Sequence, residues 1–128
     1  MDKENTKTMT KEEKDDLLLG MHRNIRETEE EFESVSRTIR KKEQGEEDFL
    51  RLRNRGRATL DDFRESWQGD SANKTIAEME DDFSQGCHKM ETIIRKDLEE
   101  QGQQSRALKA KQAELEEEYQ RLQRLATK

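Results

Sequence analysis

From Leu18 onward the chain repeats apolar residues at alternating steps of three and four. One set of positions takes Leu18, Ile25, Phe32, Ile39, Glu46, Arg53, Leu60 and Trp67; the other takes Met21, Thr28, Val35, Lys42, Phe49, Gly56 and Phe63. Ten of these fifteen are apolar in a segment otherwise mostly charged, so they form one narrow stripe along a helix. The exceptions Lys42, Glu46, Arg53 and Gly56, with Gly45 nearby, predict a weak middle with a kink or a register slip. The second half reads the same way through Phe83, Cys87, Met90, Ile94, Leu98, Gln101, Ser105, Leu108, Gln112, Leu115, Tyr119, Leu122 and Ala126. Ile76 and Met79 extend that stripe backward, and the two steps of four from Met90 to Leu98 predict a stutter.

Ser66-Trp67-Gln68-Gly69-Asp70-Ser71 separates the stripes near the chain's midpoint. Gly69 suits the left-handed conformation that ends a helix, and Asp70 or Ser71 suits the cap of the next. Equal arms about a tight turn predict an all-α fold, an antiparallel two-helix hairpin of coiled-coil type. The boundaries that follow are a flexible charged arm over 1–16 and one domain over 17–125. Within that domain the first helix spans about 17–66, the turn 67–70 and the second helix 71–125. Reflecting the chain about Gln68 sets Arg51, Arg53, Arg55 and Arg57 against Glu78, Glu80, Asp81 and Asp82. It sets Glu29, Glu30, Glu31 and Glu33 against Arg106, Lys109 and Lys111, and Arg37 against Glu99. Opposed blocks of opposite sign favour this pairing, although Arg40 to Lys42 then meet Arg95 and Lys96.

Composition narrows the class of function. Charged residues make up 44% and hydrophobic ones 28%; half the chain is Ala, Glu, Lys, Leu or Arg, and Pro is absent. That is the composition of long helices. It excludes a thick core and the deep apolar pocket of most enzymes, so neither catalysis nor a cofactor is expected. Met1 to Asp16 has no apolar stretch of a signal peptide, and Leu17-Leu18-Leu19 is far short of a membrane span. A cytoplasmic location is the expectation. A net charge of −6 argues against non-specific binding to nucleic acid or anionic membrane.

Candidate chemistry is sparse. One cysteine, Cys87, allows no internal disulfide and reads as a small buried hydrophobe on the stripe. His22 and His88 lack metal-ligand spacing even with Cys87 counted, so no metal site is expected. The Arg51–Arg57 stretch has no interleaved aromatic residues to stack on bases. The glutamates read as a solvated helix face, without a nucleophile–base pair or a phosphate-cradling loop.

The feature that stands out is Trp67-Gln68-Gly69, the only Trp, set at the turn with Phe63 one helical turn before it. A bare Trp-x-Gly is common, and one reading is an indole that plugs the hairpin's end. Together with two long flanking helices and its midpoint placement, it resembles the WXG-motif family of early-secreted-antigen-like helical hairpins handled by type VII secretion. Many secreted members carry a Tyr followed four residues later by an acid; here Tyr119 is followed by Gln123, a degenerate form. The greater length and charge resemble the small helical proteins made alongside LXG-type toxins in Gram-positive bacteria. That resemblance implies a non-enzymatic adaptor, targeting factor or chaperone binding the toxin's helical N-terminal domain. It also implies export by the type VII route, without a conventional signal peptide, for members that leave the cell.

A hairpin's two narrow seams bury little by themselves. Leu17, Leu19, Leu50, Leu52, Ile93 and Leu125 lie beside the seams and widen the apolar face. Docking on a helical partner, joined by a second small helical protein, or self-association into a homodimeric four-helix bundle would cover them. The same pattern fits a coiled-coil chaperone or stalk component of another secretion or flagellar apparatus, or a cytoskeletal scaffold.

Overall fold

The computed structural model describes residues 8–127. In order, the chain forms strand β1 (Thr8–Met9), helix α1 (Lys11–Ser66), helix α2 (Asp70–Arg124) and strand β2 (Ala126–Thr127). The two helices pack against each other as an all-α hairpin, with its turn at Trp67-Gln68-Gly69. Both are continuous: α1 runs through Gly45 and Gly56 without a break.

Helix α1 begins before residue 17, which corrects the expected arm. Thr10 Oγ1 accepts the Glu13 N–H at 3.2 Å, and the Thr10 carbonyl accepts the Lys14 N–H at 3.0 Å. Thr-x-x-Glu is the spacing of a capping box, and Glu12 and Glu13 add negative charge where the helix dipole favours it. Residues 11–16 therefore belong to the helix, and Thr8–Met9 pairs in parallel with Ala126–Thr127. Residues 1–7 of the expected arm lie outside the described residues. Lys14 Nζ donates to the carbonyls of Gln123 (2.8 Å) and Leu125 (2.7 Å), which the last turn of α2 leaves without helical partners.

At the turn, the Trp67 N–H still bonds the Phe63 carbonyl at 2.8 Å. Gly69 has φ +114°, which strains any residue with a Cβ, and its carbonyl opens α2 by accepting the Asn73 N–H at 2.9 Å.

The chain divides into two compact units. The terminal unit comprises residues 8–37 and 102–127; the central unit is Thr38–Gln101. In the terminal unit the expected stripe is the buried one. Thr28, Val35, Leu108 and Leu122 are fully buried, and Leu18, Met21, Ile25, Phe32, Leu115 and Tyr119 are half-buried between exposed neighbours. The Thr28 hydroxyl is satisfied within the helix, donating to the Asn24 carbonyl at 2.9 Å.

In the central unit the polar exceptions find partners. Lys42 Nζ lies 2.7 Å from both carboxylate oxygens of Asp97. Arg53 pairs with Glu91 in the seam, both less than a quarter exposed. Gly56 leaves the space that the Phe83 ring fills: a Cβ there would stand 2.5 Å from it. The expected weak middle is thus a continuous helix with a polar seam. Glu91, not Met90, holds the seam position on α2, and Met90 is exposed. The two successive steps of four accordingly fall at Phe83–Cys87–Glu91, earlier than expected. Cys87 is half-buried rather than buried.

The register also differs from a reflection about Gln68. Lys42–Asp97, Arg53–Glu91, Arg64–Glu80 and Glu29–Gln112 all pair with residues roughly one to two turns further along α2. Side chains lean toward the N-terminus of their own helix. On antiparallel helices these leans are opposed, so each α1 side chain meets one rooted further along α2. The shift is largest for the long Arg–Glu pairs. It removes the expected clash at Lys42, and Arg37 bonds Glu33 in its own helix rather than Glu99.

Candidate partner-binding surface

Seam residues are spent on the hairpin, so a partner meets what lies beside them. In the central unit Leu52 and Ile93 are each 62% exposed, and Met90 is exposed with them. Leu52 precedes Arg53 as Met90 precedes Glu91, and Arg53 pairs with Glu91. Residues in those matching positions flank an antiparallel seam on the same side. Ile93 follows Met90 by three residues, one turn along that helix. Leu50 lies on the opposite flank, half-buried beside Phe49, Ile94 and Arg95 in a shallow hollow.

In the terminal unit Leu17 and Leu19 are exposed, while Leu125 is half-buried where its carbonyl receives Lys14. Tyr119 is half-buried, its ring 6.4 Å from His22, and Gln123 is exposed with its carbonyl also on Lys14. Apolar alternation missed Met90 as a surface residue. The signal available was Arg53, since a seam cation calls for an acid opposite.

The turn presents aromatic surface. Trp67 is 49% exposed and stacks obliquely on Phe63, with ring centroids 5.8 Å apart. Facing Trp67, α2 offers only Ser71, Ala72 and Thr75, which are too small to cover an indole. The indole is therefore no buried plug. Among the described residues, no group of three or more His, Cys, Asp or Glu is placed to hold a metal ion. No described helix is long and apolar enough to cross a membrane.

The family model "Protein of unknown function (DUF3958)" matches residues 16–124. The chain belongs to the DUF3958 family. The matched span takes in both helices and the turn of this DUF3958 hairpin, together with every exposed apolar residue named above. No curated protein and no solved structure matches it.

Proposed function

We propose that this DUF3958 protein is a non-enzymatic WXG-like adaptor that binds the helical N-terminal domain of an LXG-type toxin for type VII secretion. The observation that carries the reading is unburied apolar surface. The chain exposes 10216 Å², whereas a compact chain of 15.2 kDa exposes about 7,100 Å². The surplus, roughly 3,000 Å², is the scale of an obligate helical interface. Leu17, Leu19, Leu52, Met90 and Ile93 supply its apolar part, and Trp67 on Phe63 supplies an aromatic anchor.

The test is co-expression with the N-terminal domain of an LXG-type toxin, followed by size-exclusion chromatography and thermal melting. A stoichiometric complex with a raised melting temperature is expected. Trp67→Ala should change the stability of the isolated hairpin by less than about 1 kcal/mol yet weaken the complex by about 2 kcal/mol. A toxin domain that elutes alone and leaves the melting temperature unchanged rejects the reading.

A further inference from the structure

Asp15, Asp16, Leu18, Leu19, His22 and Tyr119 line an open groove of about 510 Å³ in the terminal unit. Its floor is apolar and aromatic: Leu18 and Tyr119 are half-buried, and Leu19 is exposed beside them. Its rim is acidic. Asp15 and Asp16 are exposed and hold no ion pair or hydrogen bond among the described residues. The nearest lysine in sequence, Lys14, has its ammonium committed to the Gln123 and Leu125 carbonyls. The central unit differs, because there the seam charges are already matched in Lys42–Asp97 and Arg53–Glu91.

We infer that this groove is the docking site for a basic amphipathic helix of the protein partner. One apolar side chain of that helix packs on Leu18, Leu19 and Tyr119, and a Lys or Arg one turn away reaches Asp15 and Asp16. An apolar groove between antiparallel helices suits a third helix, and unmatched acids on its rim select the sign of the incoming charge. The inference rests on the reading that a helical partner covers this chain, and it names which face is met and by what chemistry.

The probes are two helical peptides of equal length, with leucines at i, i+4 and i+7 flanked by lysines in one and by glutamates in the other. The chain has one Tyr and one Trp, so the Tyr119 ring and Trp67 indole signals in NMR report the groove and the turn separately. The lysine peptide should shift Tyr119 and His22, leave Trp67 in place, and bind about tenfold more tightly than the glutamate peptide. Added salt should narrow that preference. Asp15→Asn with Asp16→Asn should abolish the preference, and Asp15→Lys with Asp16→Lys should reverse it, with helicity checked by circular dichroism. Leu19→Ala should weaken both peptides.

Equal binding of the two peptides, or shifts at Trp67 alone, would overturn the proposal. Ile93 lies between Lys89 and Lys96 on α2, so a second copy of this chain is the competing occupant. Self-association abolished both by reversing Asp15 and Asp16 and by Lys89→Glu with Lys96→Glu would assign the groove to that copy and overturn the proposal. If the toxin domain binds while the peptides show no charge preference, the groove assignment fails and the functional reading stands. If the lysine peptide binds at Tyr119 while the toxin domain does not, the reverse holds.

Discussion

Of the side chains buried most deeply among the described residues, Thr28, Val35, Leu108 and Leu122 lie in the terminal unit and only Ile76 in the central unit. The helical spacing is shared, but the seams differ in chemistry. The terminal seam is largely apolar, and apolar seams hold together whichever neighbouring layer they meet. The central seam places Lys42 against Asp97, Arg53 against Glu91 and Gly56 under Phe83. A slip of one heptad would strand two charges and set the Phe83 ring against a new residue. Polar groups in a seam lower stability and fix register, the best-attested use of such pairs. Stability and register are thus supplied by different stretches of the same two helices.

The contrast breaks most sharply at the buried leucines. Leu108→Ala should destabilise by about 3 kcal/mol in urea unfolding, whereas Leu60→Ala, in the half-exposed central seam, should lose about half as much. Equal losses would show the two seams to be equivalent. Next in size is the seam ion pair. Glu91→Leu alone strands the Arg53 charge, whose Nε already lacks a partner, and should cost about 1–3 kcal/mol. Adding Arg53→Met should restore stability to within about 1 kcal/mol of the parent while relaxing the register. A second set of central-unit amide signals in NMR would report that relaxation, and a single set would remove the register role. The smallest effects are at glycine. Gly45→Ala and Gly86→Ala meet open space and should each stabilise by about 0.5–1 kcal/mol in thermal melts. Gly56→Ala should forfeit that gain, because its Cβ meets the Phe83 ring.

The sequence made the first seam legible almost residue by residue. From Leu18 to Leu60 every stripe position is less exposed than the charged residues around it, including the polar ones at Lys42, Glu46 and Arg53. Periodicity reports geometry, so it placed those residues correctly; their chemistry suggested a defect because each was weighed without its partner. Met90 was misplaced for the same reason: ranked by hydrophobicity it outscores Glu91, and only the Arg53 opposite reverses the order. The pairing register stayed hidden because a reflection treats side chains as points, and the lean of each Cβ moves contacts along α2. The helix start was readable in Thr10-x-x-Glu13 but was outweighed by the charge of the segment. At the surface, exposure of Leu17, Leu19, Leu52 and Ile93 followed from their positions beside the stripe. The exposure of Trp67 did not, since it depends on the small size of Ser71, Ala72 and Thr75 across the turn.

Lys14 closes on the Leu125 carbonyl across a separation of 111 residues, while Arg64 and Glu80 meet across 16. Joining the ends before the turn has formed costs about 1.7 kcal/mol more in loop entropy than joining the arms near Gly69. The contacts quickest to find one another are therefore those with least apolar reward, and the best-packed layers wait for the longest search. Such a chain gains little until late in the process, and a lengthwise zipper from the turn must climb before it descends. A partner helix present at that stage would act as a template for the ends as well as a cover for the finished surface.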